Sequence, residues 1–297
     1  MANMILGSCP DSWGIWYPND PHNIRWTQFL DEVTEAGYRA IELGALGYLP
    51  LDPDVLIPEL EKRGLTLTAT TTIGSAIVSD FWTDGFLRSL PPLLEMQAKL
   101  GARYMVMIPG LFVDGFCPDV LLPREISQEQ WGRFVQHIEM LGKLTASYGV
   151  TLLVHPHAET YLTHAPEIEK LLEMTDPQYV SICLDTGHFA YGGVDINAFI
   201  KKYKDRVPYL HIKNCDKEIL EQMHREGWSY QKAVDQGLMC CPPERGLVDY
   251  ASLKQTLEEI NYDGYVIVEE SIYPAPPEKA FELGKNTFRY LKSIGIG

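Results

Sequence analysis

The sequence has no long apolar run, and its basic residues are outnumbered by acidic ones. No window of about eighteen apolar residues occurs, which argues against a membrane-spanning helix. The first residues lack the cationic flank and apolar stretch of a secretion signal, so we expect a soluble, cytoplasmic protein with no membrane partner. With 25 Lys and Arg against 40 Asp and Glu, the formal net charge is −15. A nucleic-acid partner is not expected, because such surfaces need clustered basic side chains.

Paired cysteines, flexible linkers and a phosphate-binding glycine loop are also missing. The six cysteines show no C-x-x-C spacing and mostly lie in apolar stretches, which predicts reduced, structural thiols: Cys9, Cys117, Cys183, Cys215, Cys240 and Cys241. No Pro-, Gly- or Ser-rich tract divides the chain, so we predict one domain over residues 1–297. The segment GSCPDSWG is not G-x-G-x-x-G, which makes an open doubly wound sheet the weaker alternative.

Short apolar runs alternate with amphipathic stretches along the chain. Eight runs are predicted to be strands: MILGSC from Met4, AIELG from Ala40, TLTATTT from Thr66, YMVMIPG from Tyr104, TLLVHPH from Thr151, VSICLDTGH from Val180, PYLHIKN from Pro208 and YVIVEES from Tyr265. Segments between them, such as WTQFLDEVTEAG and APEIEKLLEMT, have apolar residues at helical spacing. This alternation predicts an α/β fold, a closed (β/α)₈ TIM barrel.

Metal-capable side chains follow the last four predicted strands. They are His155 and His157 after strand 5, Asp185 and His188 after strand 6, His211 and Lys213 after strand 7, and Glu269 and Glu270 after strand 8. In such barrels the carboxyl ends of the strands meet at one rim, where the chemistry is placed. Any one of these residues could be an ordinary hydrogen-bonded rim residue. Together, a mixed imidazole and carboxylate set predicts a divalent ion such as Mn²⁺, Co²⁺, Fe²⁺ or Zn²⁺ in preference to Ca²⁺.

Three strand-end motifs carry a family resemblance. CLDTGH, YLHIKN and VIVEES resemble motifs of the xylose isomerase-like TIM barrel superfamily, which includes sugar isomerases, epimerases and the family 2 AP endonucleases. The resemblance implies one divalent ion held by ligands from strands 5 to 8, three of them Asp185, His211 and Glu269. LLVHPH is similar to the family pattern L-x-x-E-N-H, with His155 in the place of the glutamate. His157 stays open as the alternative strand 5 ligand.

Within this superfamily the sequence most resembles the inosose dehydratases. It shares a His-rich run after strand 5 with a nearby Thr160, and the segment after strand 7, LEQMHREGWSYQKAVDQGLMCCPPERGLVDYASL, is also similar. The resemblance is good from Ser127 onward and rests on the barrel rhythm alone before it. It implies one bound divalent ion, with Mn²⁺ the first expectation and Co²⁺, Fe²⁺, Zn²⁺ or Mg²⁺ as alternatives.

The resemblance also implies a reaction. Glu269 would take the α-proton of an inosose, and His157 or His188 would protonate the departing β-hydroxyl, so that water is lost. A keto-sugar isomerase or epimerase acting through the same enediolate is the alternative. The implied partner is a small keto-polyol or keto-sugar, and the protein could form a homo-oligomer.

Four further residues are candidates for substrate contacts. Trp13 could stack on a ring or cap the barrel, and Glu42 and Lys213 could bind hydroxyls or form a buried ion pair. Arg245 could reach across the mouth or be a solvated loop residue.

Two other kinds of protein are weaker alternatives. Endonuclease IV shares an LDTGH-like motif, but histidines are missing from TATTTIG and YMVMIPG, and ERGLVDY supplies no Asp-x-His. A binding barrel without catalysis would be indicated if the purified protein held no metal.

Overall fold

Parallel strands alternate with helices along the described chain. The computed structural model describes residues 2–74, 85–112 and 123–297, and the predicted structural thiol Cys117 lies outside these ranges. The strands are β1 (Asn3–Ser8), β2 (Ala40–Glu42), β3 (Thr66–Ile73), β4 (Tyr104–Ile108), β5 (Thr151–Val154), β6 (Val180–Asp185), β7 (Tyr209–Ile212) and β8 (Asp263–Val268). Each of the eight predicted runs overlaps one of these strands.

The helices within the described residues follow the same order. They are α1 (Trp26–Ala36), α2 (Pro53–Glu61), α3 (Leu87–Ser89), α4 (Pro91–Lys99), α5 (Gln128–Ser147), α6 (Ala165–Met174), α7 (Thr186–Tyr191), α8 (Ile196–Lys202), α9 (Lys217–Glu226), α10 (Tyr230–Asp235), α11 (Tyr250–Glu259) and α12 (Pro277–Ile294). Within this part of the chain, no helix is both long and apolar enough to cross a bilayer.

The sheet closes on itself. Each strand pairs in parallel with the next in the chain, and β8 pairs with β1. The predicted (β/α)₈ TIM barrel is therefore confirmed. The β6–β7 register places Asp185 directly beside His211, which already brings two of the predicted ligands together.

The barrel has an interior core and a larger outer core. The interior is filled by Cys9, Ala40, Ala69, Val106, Leu153, Cys183, Tyr209 and Ile267. The outer faces of the strands pack against the helices, as in the contact of Leu152 and Leu210 with the surrounding apolar layer. Both faces of each strand are thus buried, which explains why the strands are nearly continuous apolar runs. The five cysteines in the described residues are free thiols, as predicted.

A small third core lies beyond the end of β7. Helices α9 and α10 enclose Met223, Ala233 and Leu238, which pack with Ala158 from the segment after β5. The backbone N–H of Asp216 donates to the carbonyl of Leu238, which joins the two ends of the segment that contains α9 and α10. The segment after β7 is therefore folded against the strand 5 side of the barrel mouth.

Two glycines of α5 offer a matched test of outer packing. A Cβ at Gly142 would lie 2.5 Å from the carbonyl oxygen of Tyr179, whereas one at Gly132 would meet no heavy atom within 4 Å. Alanine is favoured over glycine by about 1 kcal/mol inside a helix. We expect Gly132→Ala to raise the free energy of unfolding by up to about 1 kcal/mol. Gly142→Ala should lower it, because the clash is with backbone; urea denaturation of both variants measures the difference, and equal stabilisation would contradict the packing.

Candidate metal centre

Alternate side chains of each strand face the barrel interior, and this pattern continues to the strand ends at the barrel mouth. Leu153, Cys183, Tyr209 and Ile267 point into the interior, and residues two positions further along a strand lie on the same face. Those residues are His155, Asp185, His211 and Glu269. One ligand atom from each lies within 4.8 Å of all the others, and we call these four residues the ligand cluster.

The ligand cluster is withdrawn from water. His155, Asp185 and His211 are at most 2% exposed, and Glu269 is partly exposed. His155 Nε2 lies 3.8 Å from Asp185 Oδ2 and 3.9 Å from Glu269 Oε2. His211 Nδ1 is 3.9 Å from Asp185 Oδ2 and in direct contact with Glu269 Oε2. Nitrogen and oxygen atoms with free lone pairs therefore converge on one point.

Two ligands from strands 5 and 6 are held by backbone groups. His155 Nδ1 donates a hydrogen bond to the carbonyl of Pro156 at 3.0 Å, so the free lone pair of the ring is on Nε2. Asp185 Oδ1 accepts the backbone N–H of His188 at 2.9 Å and so caps α7. Each residue therefore presents a single atom, Nε2 or Oδ2, to the ligand cluster.

The other two ligands are held by side chains. His211 Nε2 donates to Glu42 Oε1 at 2.8 Å, which turns Nδ1 toward the ligand cluster. Glu269 Oε1 accepts from Lys213 Nζ at 2.9 Å, which leaves Oε2 facing the ligand cluster. Hydrogen-bonded partners of this kind are typical of metal ligands, because they set the tautomer and orientation of the ring or carboxylate.

The ligand cluster fits a divalent ion. Asp185 Oδ2 and His211 Nδ1 are fully buried, and within the described residues neither has a hydrogen-bond partner. Leaving two buried acceptors unpaired is costly, and a cation bound by both would satisfy them. Two imidazole nitrogens and two carboxylate oxygens are donors that Mn²⁺, Co²⁺, Fe²⁺ and Zn²⁺ accept, whereas Ca²⁺ prefers oxygen alone.

Glu42 lies beneath the ligand cluster, which corrects the expectation of a substrate contact. Glu42 is 3% exposed. Besides the hydrogen bond from His211, it accepts one from the Tyr209 hydroxyl at 2.8 Å. Tyr209 is also 2.6 Å from the Thr68 hydroxyl. The reason is position: Glu42 follows the interior residue Ala40 on short strand β2, so its carboxylate enters the barrel and meets His211 from below.

Lys213 is buried inside the site. Its side chain is 1% exposed, and Nζ lies 3.4 Å from Asp185 Oδ2 and from His188 Nε2 in addition to its bond with Glu269. Burial by itself lowers the pKa of this ammonium, but the Asp185 and Glu269 carboxylates outweigh it and raise the pKa well above its usual value. The lysine is therefore a fixed positive charge beside two negative ligands.

His157 and His188 form a stacked pair at the edge of the ligand cluster. Their ring centroids are 3.6 Å apart, and His157 is 5.6 Å from the ring of His155. His157 Nδ1 donates to the Ala158 carbonyl at 2.7 Å, so its Nε2 carries a free lone pair. His188 Nδ1 accepts the Ala158 backbone N–H at 3.3 Å, and its Nε2 faces the Lys213 ammonium at 3.4 Å. Burial, with His155 and Lys213 nearby, lowers the pKa of His157 to about 3.

The two glutamates after β8 have different surroundings. Glu269 belongs to the ligand cluster, whereas Glu270, one residue on, has the opposite side-chain direction. Glu270 is 2% exposed and accepts from the Thr287 hydroxyl on α12 at 3.3 Å. Burial raises the pKa of its carboxyl to about 8.

Two predicted substrate contacts lie elsewhere. Trp13 is 3% exposed, packs edge-on against Phe29 and donates its indole N–H to Glu32 at 2.8 Å. Its ring faces are covered by core contacts, so the alternative that it caps the barrel fits and a sugar-stacking role does not. Arg245 is paired with Asp216 at 2.7 Å, and its side chain is 69% exposed, in line with the alternative of a solvated loop arginine.

Two residues near the ligand cluster had escaped the sequence analysis. Burial, together with the Glu269 and Glu42 charges, raises the pKa of Asp11 to about 7, which places this carboxyl within their field. Tyr230 of α10 lies with its ring 6.0 Å from His157 and 5.5 Å from Tyr191. Asp11 could have been found from the sequence, because it follows β1 at the same rim. Tyr230 could not, because it reaches the site through a packing contact that the spacing of residues does not show.

The sequence model of the xylose isomerase-like TIM barrel family matches residues 30–291. The chain belongs to this family. A curated relative named inosose dehydratase, from Mesomycoplasma hyopneumoniae strain J, is 29% identical over 299 residues, covering 99% of this chain and 97% of the relative. The likeness therefore includes the first half of the chain, where the resemblance had rested on rhythm alone.

Solved structures agree with the fold. The IolI protein with a bound zinc atom aligns with a TM-score of 0.75 at 17% identity over 98% of each chain. The 3-keto-D-glucoside 4-epimerase YcjR of Escherichia coli aligns at 0.69 and 17% identity over 98% of this chain and 100% of its own. The prediction of an enzyme is confirmed by these relatives, while the roles of individual site residues stay predictions.

The geometry predicts which histidine of HPH holds the metal. We expect about one Mn²⁺ or Co²⁺ per chain in the wild type, because four single-atom ligands converge. His155→Ala should weaken binding by at least about tenfold. His157→Ala is the matched control two residues away and should keep the metal, since its atoms are outside the ligand cluster. Competition with a chelating indicator dye measures both affinities.

Either of two results would contradict this assignment. Wild-type protein that holds no metal after exchange, by elemental analysis, would remove the centre. Loss of metal in His157→Ala with retention in His155→Ala would transfer the ligand role to His157.

Proposed function

We propose that this protein is a metal-dependent inosose dehydratase, a lyase that removes water from a 2-keto-inositol such as 2-keto-myo-inositol. The observation that carries the proposal is the ligand cluster, in which every ligand has one atom free and the other polar atom hydrogen-bonded. Relatives named inosose dehydratase, aligned over 99% and 91% of this chain, support the same reaction. Inositol catabolism would be the corresponding process.

The ion to test first is Mn²⁺, with Co²⁺, Fe²⁺, Zn²⁺ and Mg²⁺ as alternatives, because the ligand cluster mixes imidazole and carboxylate donors. A divalent ion bound there supplies Lewis acidity toward the carbonyl and adjacent hydroxyl of the substrate. His155, Asp185, His211 and Glu269 would hold it.

The structure changes our choice of base. Glu269 was expected to take the α-proton, but Oε1 already accepts from Lys213, and Oε2 faces the ligand cluster. Burial alone would raise the pKa of Glu269, yet Lys213 and His211 bring it well below its usual value, so this carboxylate stays ionised with both oxygens engaged. His157 Nε2 has a free lone pair, and we assign the proton-accepting role to it.

The same tautomer argues against His157 as the initial acid, which was the sequence expectation. A neutral His157 has its one N–H committed to Ala158. Once Nε2 has taken the α-proton, the C–O bond to the β-hydroxyl breaks and that proton leaves with the hydroxyl as water. His188 is stacked on His157 with ring centroids 3.6 Å apart, and we assign to it the hydrogen bond to the departing oxygen. Tyr230 stands beside this pair and would form part of the substrate wall.

A keto-sugar isomerase or epimerase is the second candidate. A proton held on His157 could return to carbon, so the same residues could reprotonate the enediolate. The imidazole of His155 favours dehydration, because the strand 5 position then supplies no carboxylate that could exchange a proton as a partner of Glu269.

Product analysis separates the two reactions. With 2-keto-myo-inositol in D₂O we expect a product lighter by one molecule of water, detected by mass spectrometry together with a new conjugated ultraviolet absorbance. Asp185→Asn, which keeps shape and removes a ligand charge, should form no product. Recovery of an isobaric, deuterated ketose would instead establish the isomerase or epimerase reaction.

The proton-accepting role has a separate test. His157→Ala should slow exchange of the substrate α-hydrogen with D₂O by at least about 100-fold while retaining metal. His188→Ala is the control on the stacked partner and should slow water loss more than exchange. Hydrogen exchange is followed by NMR; undiminished exchange in His157→Ala would return the role to Glu269.

A further inference from the structure

Lys213 is a buried ammonium that the proposed reaction does not use directly. It bonds to Glu269 Oε1 at 2.9 Å and lies 3.4 Å from Asp185 Oδ2. Its side chain is 1% exposed. A buried lysine is costly unless it is paired, so its place beside two ligands needs a reason.

The surrounding backbone is shaped to hold this lysine. Thr186 donates its hydroxyl proton to the Lys213 carbonyl at 2.6 Å and accepts the Lys213 backbone N–H at 3.0 Å. A Cβ at Gly187 would lie 2.7 Å from Lys213 Cγ, so only glycine leaves room for the stem of the lysine. The start of α7 thus clamps the lysine from both backbone and side chain, and Nζ has little freedom to leave Glu269.

The fixed position of Lys213 affects how many carboxylate oxygens Glu269 can offer to an ion. A carboxylate can bind a metal through one oxygen or through both. The second polar atom of His155, Asp185 and His211 is tied by a carbonyl, a backbone N–H and a carboxylate. In Glu269 the corresponding atom, Oε1, is tied by a full positive charge, which is the strongest of these partners.

We propose that Lys213 is a positioning residue that confines Glu269 to ligation through Oε2 alone, and so keeps one coordination position of the divalent ion available to substrate. The proposal rests on the metal centre of the proposed function. It assigns Lys213 no contact with substrate, in place of the hydroxyl-binding role expected from the sequence. Its removal would free Oε1 to become a second ligand atom from the same residue.

The test uses Co²⁺ as the probe, because its visible absorption depends on coordination number and on the ligand atoms. Lys213→Met should bind one Co²⁺ per chain with undiminished affinity, since a positive charge near the ion is lost. Its absorption bands should weaken and shift as Glu269 supplies its second oxygen, and turnover should fall by about 10- to 100-fold. Lys213→Arg, which keeps a cationic donor, should restore a spectrum closer to wild type.

Two controls keep the result interpretable. Lys217→Met removes an exposed lysine four residues along and should leave the spectrum unchanged. In a Glu269→Gln background at saturating Co²⁺, Lys213→Met should change the spectrum little, because an amide offers only one oxygen to the ion. If Lys213→Met does not fold, Lys213→Gln takes its place, since it keeps a polar side chain at this buried position.

The outcomes separate this inference from the proposed function. A wild-type Co²⁺ spectrum in Lys213→Met, or loss of Co²⁺ from it, overturns the positioning role. Absence of Co²⁺ from the wild type overturns the metal centre instead. Wild-type Co²⁺ binding without water loss from 2-keto-myo-inositol refutes the dehydratase and leaves the role of Lys213 to be decided by the spectra.

Discussion

The carboxylates of Asp185 and Glu269 are buried within a few ångströms of each other, and compensation of their charge is the constraint on which the site depends. Like charges at such a distance in a poorly solvated place repel strongly and would normally be protonated or pushed apart. Lys213 supplies one positive charge, and its contacts reach both carboxylates. A divalent ion at the ligand cluster would supply the rest and satisfy the unpaired Asp185 and His211 atoms.

Hydrogen bonds within the barrel hold the residues of the ligand cluster in place before any ion is bound. Glu42 and Tyr209 fix His211 from inside the barrel, and the N-terminus of α7 fixes Asp185 from the rim. These contacts come from strands and a helix of a closed barrel, which are rigid compared with loops. Site geometry and fold stability are therefore linked, because several interactions that orient ligands also join neighbouring elements.

The stacked histidines add a second chemical feature to the same rim. Ala158 binds both rings, through its carbonyl to His157 and its N–H to His188. The carbonyl holds the proton of a neutral His157 on Nδ1, so Nε2 of that ring offers a lone pair. Ala158 is itself held in the small core beneath α9 and α10. The segment after β7 thereby packs against the residue that holds both histidine rings.

The sequence by itself predicted the barrel and placed Asp185, His211 and Glu269 at one rim, together with His155 or His157. Eight apolar runs separated by helical segments leave few other closed arrangements, and the side-chain period of two carries Leu153 to His155 and Ile267 to Glu269 on one face. Family motifs then separated ligands from neighbours. Apolar runs, side-chain alternation and short motifs all depend on residues close together along the chain, so they can be recognised in the sequence.

Only the tertiary structure decided what the remaining residues do. Glu42 and Lys213 proved to be partners of ligands, Trp13 a core residue and Arg245 a surface ion pair, because each role depends on what lies opposite in space. The backbone contacts of the His157 and His188 rings likewise come from one alanine. Such contacts join residues up to 169 positions apart, as between Glu42 and His211, and no spacing along the chain encodes them.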